Sequence, residues 1–385
     1  MAQHSHLGGS TAVQWGYCPA WLHRTKGLPN PSSPHAREGT AAHALGETVL
    51  RGEHETTAEL LDAEMDLGDG EPFPVDQEMV TYVQRYVDDV NDLTPEDAIR
   101  MVEVRSDYSA MIEQEDAYGT ADFVAVTDDA IHVHDLKYGK GIRVDAKENW
   151  QLLLYALGMY WQFESVREFK RVHLYIHQPR LNHLSEWSCS IEELLAFGED
   201  MARRAARVFS HPDEMNPGEK QCRWCLAKAT CPALAQKVAE EFDVLPEPKS
   251  QDAENDLLAR GMANVELIEG WCKAVRSETE RRLLSGHHIK GFKLVEGRRG
   301  PRKWLDAKEA EEALKAMRVK NDDMYEHKLI SPTSAEKLVK AGRLGPRQWS
   351  SLAAHITQSE GKPSVAKDED PRKPLQQELD FEQIA

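Results

Sequence analysis

An acid and a lysine separated by one residue, Asp135-Leu136-Lys137, stand in a short run of β-strand character. On a strand, residues two apart project from the same face, so the carboxylate and the ammonium would point toward one spot. A neighbouring run carries Asp122, and Asp128-Asp129 between the two runs predicts a tight hairpin turn. That turn would bring a second carboxylate alongside the first.

Two predicted helices carry further groups suited to the same chemistry. His43 lies on a helix predicted from Ala36 to Leu50. Gln151 and Tyr155 lie four apart, and thus on one face, of an apolar helix predicted from Glu148 to Phe163. Taken singly, a histidine of this kind is more often a helix-face residue without a chemical role. Gln and Tyr at this spacing usually mark a boundary between core and surface.

Together these side chains form a donor set for metal-assisted hydrolysis. Two carboxylates and an imidazole can hold a hard divalent ion and leave positions for water and a phosphate oxygen. The ion would polarise the phosphorus–oxygen bond and lower the pKa of a bound water. Lys137 would orient that water or stabilise the developing charge. Gln151 and Tyr155 would steady Lys137 or touch the phosphate backbone.

The order of predicted elements indicates the fold. Two helices precede three strands, and a helix, two more strands and a long helix follow, which is typical of an α/β (α+β) fold with a mixed sheet flanked by helices. The acidic segment 51–76 is expected to be a solvated insertion. Beyond a domain of residues 1–240, a polar linker is predicted at 241–256, a mostly helical C-terminal domain at 257–357 and a flexible tail at 358–385.

Composition restricts the classes of protein. The 385 residues carry a formal net charge of -18, and 29% of them are charged. No apolar run reaches the ~18 residues that a membrane span needs. The first residues lack a basic segment followed by an apolar stretch, so a cytoplasmic location is expected. The negative charge argues weakly against nucleic acid as a partner, although a local basic patch can still bind phosphate.

Three of the six cysteines are clustered as Cys222-x2-Cys225-x5-Cys231. In a reducing cytosol, clustered cysteines indicate metal ligands before they indicate disulfides, and a fourth ligand is then needed. Cys189 falls in a predicted strand and Cys272 in a predicted helix, where both are expected to be small hydrophobic residues of the core.

The sequence resembles the RecB-type branch of the PD-(D/E)xK nuclease superfamily over roughly its first 235 residues. The matching motifs are a helix-borne His, a G-x-x-D strand, a D-x-K strand and a Q-x-x-x-Y helix, here His43, Gly119 to Asp122, Asp135 to Lys137 and Gln151 to Tyr155. The resemblance implies a restriction-endonuclease-like core in which His43, Asp122 and Asp135 bind Mg²⁺ or Mn²⁺. Lys137 would assist the attack of water on a DNA phosphodiester.

An exonuclease acting on DNA ends is the activity that this resemblance implies. Two alternatives remain at this stage. One is a catalytically silent DNA-binding or recombination-accessory protein that keeps the nuclease fold. The other is a zinc-stapled scaffold in which the acidic residues are structural.

The cysteines are similar to those of iron–sulfur nucleases such as AddB, which have one cysteine before the nuclease core and three after it. This likeness implies that Cys18 joins Cys222, Cys225 and Cys231 as ligands of a [4Fe-4S] cluster, which would tie the first segment to the last helix. Structural zinc is the alternative, since four thiolates also suit a tetrahedral site. The single-plus-triplet spacing favours iron–sulfur, because zinc ribbons have paired C-x-x-C motifs.

The C-terminal third carries two further candidate contacts. A basic stretch at 281–303 could hold DNA phosphate, or could be a solvated basic hairpin; its candidate DNA-binding residues are Arg298, Arg299, Arg302 and Lys303. Gln376 to Phe381 resembles a peptide that docks on bacterial sliding clamps, although a disordered tail is the commoner meaning of such a segment.

The layout as a whole is similar to uncharacterised nuclease-like proteins that phages and prophages carry near replication genes. That similarity implies DNA as substrate and a phage single-strand-binding or annealing protein as a partner. The expected setting is the cytoplasm of a bacterial or phage-infected cell.

Overall fold

A computed structural model of the chain describes residues 5–30, 33–241, 250–295, 307–317, 320, 325 and 330–356. The chain divides into two compact units, Met1–Val295 and Glu296–Ala385. Three predicted features lie outside the described residues: the basic side chains Arg298, Arg299, Arg302 and Lys303, the segment Gln376 to Phe381, and the tail 358–385.

The mixed sheet flanked by helices that the sequence predicts is confirmed. Its strands, in spatial as well as chain order, are β3 Ile99–Asp107, β4 Tyr118–Val126, β5 Ala130–Leu136, β6 Arg171–Gln178 and β7 His183–Ser190. A separate two-stranded sheet pairs β1 Glu64–Met65 with β2 Phe73–Pro74. The described helices are α1 Ala12–Tyr17, α2 Trp21–Thr25, α3 Pro34–Leu50, α4 Gln77–Leu93, α5 Trp150–Phe163, α6 Ile191–Ser210, α7 Glu219–Cys222, α8 Pro232–Glu241, α9 Gln251–Leu284, α10 Ala307–Ala316, α11 Pro332–Lys340 and α12 Pro346–Ala353.

Strand β5 lies at the centre of the five-stranded sheet, and all seven of its residues are buried. It pairs antiparallel with β4 through the hairpin predicted at Asp128-Asp129, where Thr127 N donates to Ala130 O at 2.9 Å. It pairs parallel with β6. A parallel pair needs a crossover connection, which helix α5 provides. The end of β5 and the start of α5 are therefore fixed by the centre of the fold.

Two helical layers cover the sheet. Helices α3 and α4 pack on one face, where α4 presents a stripe of buried residues that includes Val83, Tyr86 and Val90. Helices α1, α5 and α6 pack on the other face. Among the described helices, none combines the length and apolar character needed to cross a bilayer.

Two segments have more structure than the sequence indicates. The acidic segment 51–76 contains β1, β2 and a 3-10 turn at Thr57–Leu60. The Thr57 hydroxyl is buried and donates to Val80 O at 2.8 Å, which ties this turn to α4. Residues 251–256, predicted as part of the linker, form the first turns of α9. The Ser250 side chain caps that helix by accepting a hydrogen bond from Ala253 N.

A row of histidine and tyrosine rings lies on β5 and β6, the two parallel central strands. His132 stacks on His173 with ring centroids 4.6 Å apart, and His134 stacks on Tyr175 at 4.3 Å. His134 Nδ1 and His177 Nε2 are 3.0 Å apart. Burial, together with the neighbouring His173, lowers the pKa of His132 to about 4. Burial also lowers the pKa of His134 well below its usual value.

These histidines should make the fold acid-sensitive. His132 has a pKa near 6.5 in the unfolded chain and about 4 in the folded chain. The free energy of unfolding is therefore highest above pH 6.5, and it falls as the pH drops from 6.5 toward 4. Between pH 7 and pH 5 we expect His132 to account for a loss of about 1–2 kcal/mol, allowing for partial solvent screening. Denaturant unfolding at the two pH values should show a smaller loss for His132→Asn. The exposed-histidine control His23→Asn should keep the full loss; an unchanged pH dependence in His132→Asn would contradict the assignment.

Candidate functional site

The structure brings the predicted site residues together where β4 and β5 stop pairing. The last paired residues are Phe123 and His134, so Asp122 and Asp135 are the next residues on the two strands. Asp122 Oδ2 accepts a hydrogen bond from Leu136 N at 2.7 Å, which continues the strand pairing through a side chain. Helix α3 brings His43 Nδ1 to 3.3 Å from Asp122 Oδ1.

Lys137 and Asp135 form a close pair that Gln151 completes. Lys137 Nζ lies 2.6 Å from Asp135 Oδ2. Gln151 Nε2 donates to Asp135 Oδ1 at 3.0 Å, and Gln151 Oε1 accepts from Lys137 Nζ at 3.3 Å. One amide thus holds both members of the ion pair. Its position follows from the start of α5, where the Asn149 side chain caps the helix by accepting from Gln151 N at 3.1 Å.

Tyr155 supports this network, and two glycines make room for its ring. Its hydroxyl accepts a hydrogen bond from Gln151 Nε2 at 3.2 Å. A Cβ atom at Gly9 would lie 2.7 Å from the Tyr155 ring, and one at Gly119 would overlap the same ring atom. The glycine of the predicted G-x-x-D strand, Gly119, is therefore required for steric reasons. Only a residue without a side chain lets β4 approach the Tyr155 ring.

Burial and neighbouring charges set the protonation of the site. Burial alone would lower the pKa of Lys137, but Asp135 and Asp122 raise it above its usual value, so the side chain is an ammonium at neutral pH. Burial opposes the charge on Asp122 as well, yet His43 and Lys137 hold the pKa of this carboxyl below its usual range. Burial raises the pKa of Asp135, although Lys137 acts against it. Lys137 is therefore suited to stabilise negative charge and not to accept a proton.

The same charges affect the protonation of His43. Burial would lower the pKa of His43, but the Asp122 carboxylate raises it above its usual value. The imidazole thus carries a proton more readily than a free histidine does. A cation bound between His43 and Asp122 would take the place of that proton.

Glu103 on β3 belongs to the site, and the sequence reasoning does not single it out. One carboxylate oxygen of Glu103, one nitrogen of His43 and one oxygen of Asp122 all lie within 4.8 Å of one another. Burial, followed by the Asp122 carboxylate, raises the pKa of Glu103 to about 7. The only signal in the sequence is an acid among the apolar residues Met101, Val102 and Val104 of a predicted strand. Placing it near Asp122 requires the pairing of β3 with β4.

The four cysteines of the predicted staple line one pocket. Cys18, Cys222, Cys225 and Cys231 surround about 390 Å³ of empty space that is partly open to solvent. Burial raises the pKa of Cys18 and Cys222, and raises that of Cys225 to about 11. Without a cation these three groups are thus neutral thiols at neutral pH. Among the described cysteines, no three sulfur atoms lie within 4.8 Å of one another.

A stack of aromatic rings connects the cysteine pocket with the Lys137 network. The ring of Tyr17, which precedes Cys18, stacks on Trp150 with centroids 4.7 Å apart. The Arg204 guanidinium lies 5.1 Å from the centre of each ring. Trp150 in turn precedes Gln151. The remaining cysteines lie elsewhere: Cys189 is buried in β7 and Cys272 is partly buried on α9.

A comparison with protein families places the chain. The family model described as "Protein of unknown function (DUF2800)" matches residues 4–373, so the chain belongs to that family. The description assigns no activity, and the case for a function therefore depends on the geometry of the site.

Proposed function

We propose that this member of the family is a metal-dependent deoxyribonuclease, an exonuclease that acts on DNA ends. The observation that carries the proposal is the arrangement of Lys137, Asp135 and Gln151 beside the His43–Asp122 pair, with all separations at or below 3.3 Å. It combines an ammonium of fixed position with donors for a hard cation. The same residues are those that suggest a RecB-type PD-(D/E)xK nuclease.

The donors present fit Mg²⁺ or Mn²⁺. Carboxylate oxygens suit both ions, and one imidazole is compatible with Mn²⁺ and tolerated by Mg²⁺ when the other positions are oxygen or water. Bound there, such an ion supplies Lewis acidity and lowers the pKa of a coordinated water. The raised pKa of His43 supports a cation at this place, because a proton already favours the same position.

Each remaining side chain has a separate task in the proposed hydrolysis. Lys137 presents its ammonium to the phosphate oxygens, on which negative charge grows as water attacks. Asp135 and Gln151 hold that ammonium in one position. Tyr155 fixes the Gln151 amide through its hydroxyl. Such fixed charges are effective because they need no reorganisation during the reaction.

A binding protein without activity is disfavoured by the burial of the ion pair. Asp135 is 1% exposed, and Lys137 reaches it from a side chain that is 32% exposed. Replacing a buried ion pair by apolar residues is often neutral or stabilising, so the pair has no need to exist for the sake of the fold. We infer that its role is chemical.

Three further parts of the proposal rest on the sequence. DNA as substrate and a phage single-strand-binding or annealing protein as partner follow from the resemblance. Docking on a sliding clamp would involve Gln376 to Phe381, outside the described residues. The [4Fe-4S] cluster would use the pocket of Cys18, Cys222, Cys225 and Cys231, for which structural Zn²⁺ is the alternative.

The test is the degradation of end-labelled linear DNA by the full-length protein with Mg²⁺ or Mn²⁺ and with chelator. We expect degradation only with the cations, and a loss on the order of a hundredfold or more in Asp135→Ala. Asp92→Ala, which removes an exposed carboxylate from α4, is the matched control and should cut at the parental rate. Equal rates for Asp135→Ala and the parent would refute the assignment. A parent that binds DNA but never cuts it would support the silent accessory protein instead.

A further inference from the structure

The turn between Cys222 and Cys225 has an inner and an outer side. The two cysteines line the pocket described above, whereas Arg223 and Trp224 are not among the residues that line it. Both of these side chains are exposed, and Trp224, at 71% exposure, is the most exposed tryptophan in the described part of the chain. Leu226 is 41% exposed and lies outside the pocket as well. The turn therefore presents an arginine, a tryptophan and a leucine to solvent.

Hydrogen bonds hold this turn in one shape. Cys225 N donates to Cys222 O at 3.3 Å. Lys228 Nζ donates to the carbonyl oxygen of Arg223 at 2.7 Å, which joins the turn to the residues that follow it. A side chain that is presented by a backbone of fixed shape loses less conformational entropy when it binds a partner. The turn is thus preorganised to present Trp224.

The segment around the exposed tryptophan is basic. Residues 217–237 carry four lysine or arginine side chains and a single acid, Glu219, in a chain whose formal net charge is -18. The Arg223 guanidinium lies 5.9 Å from the centre of the Trp224 ring. Arg223 forms no ion pair with a carboxylate among the residues that the structure describes. Its charge is therefore available to an anion from outside the chain.

A second arginine reaches the same region from α2. Arg24 Nη2 donates to Thr230 O at 2.9 Å, and the Arg24 side chain is exposed. Arg24 and Lys228 both line the pocket, where their charges also offset the charge of thiolates. Arg223 does not line the pocket, so the charge of the pocket does not account for it.

An exposed aromatic ring beside available cations suits single-stranded nucleic acid. A base stacks on the ring, and the cations contact the backbone phosphates without reading the sequence. Inside a duplex, both faces of a base are covered by the neighbouring base pairs. A ring at the protein surface can therefore stack only on an unpaired or a terminal base.

We propose that the surface formed by Arg24, Arg223 and Trp224 binds single-stranded DNA, with a base stacked on Trp224 and the two arginines at the backbone phosphates. The inference deepens the proposed nuclease function and rests on it for the identity of the nucleic acid. The surface and the proposed active site belong to one compact unit, Met1–Val295. The proposal therefore adds a preference for DNA ends that carry an unpaired strand.

The test measures binding of the full-length protein to fluorescein-labelled oligothymidylate of about 20 nucleotides by fluorescence anisotropy. No divalent cation is added, so that the DNA stays intact. We expect Trp224→Ala to raise the Kd at least about tenfold, and Trp224→Phe, which keeps an aromatic face, to change it less than about threefold. Trp161→Ala removes another exposed tryptophan, near the end of α5, and is the matched control that should keep the parental Kd.

Arg223→Gln gives a second readout that a purely structural role would not change. Each phosphate contact releases counterions, so the slope of log Kd against log salt concentration should fall by roughly 0.7 in this variant. A blunt duplex of the same length should bind the parent more weakly, and Trp224→Ala should not weaken it further. The variants at positions 223 and 224 should keep the parental melting temperature and metal content, because both side chains are exposed.

The outcomes separate the two proposals. If the parent degrades DNA but Trp224→Ala binds the oligonucleotide as tightly as the parent does, the surface assignment is overturned and the nuclease proposal survives. If single-strand binding depends on Trp224 but the parent never cuts DNA, the nuclease proposal fails and the surface remains. Equal losses in Trp224→Phe and Trp224→Ala would overturn the stacking role. A loss of binding in Trp224→Ala together with a lower melting temperature or less metal would assign the effect to the pocket and overturn it too.

Discussion

Replacing Lys137 by methionine should lower the rate of metal-dependent DNA cleavage on the order of a hundredfold or more, while Mn²⁺ binding is retained. The variant leaves the buried Asp135 carboxylate without its partner, so its melting temperature should fall, and cleavage is measured at a temperature at which it is still folded. Methionine fills a similar volume without the charge. The pKa of Lys137 is raised by Asp135 and Asp122, so its ammonium is present throughout the neutral range, and its removal deletes a charge that stands ready at the phosphate. The loss should appear in kcat, because the interaction strengthens as charge develops in the transition state.

Two variants sharpen this prediction. Lys140, three residues after Lys137, is an exposed lysine that forms an ion pair with Glu78. The control variant Lys140→Met should cut at the parental rate. Lys137→Arg restores the positive charge, but the planar guanidinium group is larger than the ammonium that lies between Asp135 and Gln151. We therefore expect only partial activity. Single-turnover cleavage of end-labelled DNA gives the rate. Parental cleavage by Lys137→Met would exclude Lys137 from catalysis, and loss of Mn²⁺ binding would show that Lys137 maintains the metal site instead of acting on the phosphate.

The local parts of the site could be predicted from sequence, because they depend on short-range geometry. Asp135 and Lys137 share a face since they lie two apart on a strand, and Gln151 and Tyr155 do so since they lie four apart on a helix. The strand predicted from Arg100 to Tyr108 is Ile99–Asp107 in the structure. Hydrophobic periodicity therefore fixed these elements to within one or two residues.

The place of Glu103 beside Asp122 could not be predicted, because it depends on which strand pairs with which and in what register. Its apolar neighbours in β3 do not by themselves distinguish it from an acid on the solvent face of a strand. The burial of Asp135 was hidden for a related reason. Asp135 is buried because β5 is the central strand, and that burial follows from the pairing of all five strands. Sequence patterns report side-chain alternation but not the position of a strand in its sheet.

A second large effect is expected at the cysteine pocket, where Cys18→Ser should abolish binding of the proposed metal and strongly destabilise the fold. Cys18 lies about two hundred residues before Cys222 in the chain, yet both line one pocket. A metal held there joins the N-terminal segment to the α7 region, and the free energy of binding becomes free energy of folding. We expect a loss of at least several kcal/mol and a lower melting temperature. Cys272→Ser, on α9, is the control and should keep both metal and stability.

The metal can be identified from the same samples. Four thiolates around one zinc ion have bonds of about 2.3 Å and suit a tetrahedral site. The single-plus-triplet spacing of the cysteines in the sequence is the reason to expect a multinuclear cluster instead. Protein purified without oxygen should accordingly be brown with broad visible absorbance, and Cys18→Ser should be colourless. A colourless parent with one equivalent of zinc would establish the alternative, and a Cys18→Ser protein with full metal content would remove Cys18 from the site.

The cysteine pocket should also influence cleavage, because the Tyr17–Trp150 stack joins it to Gln151. Loss of the metal in Cys18→Ser would free the end of α1 and with it the Tyr17 ring. Trp150 would then lose a partner at the first turn of α5, where Gln151 holds Lys137. Cleavage at a temperature at which Cys18→Ser is still folded should therefore be slower than in Cys272→Ser, with Mn²⁺ affinity unchanged. Equal cleavage by the two folded variants would show that the staple stabilises the fold without positioning the site.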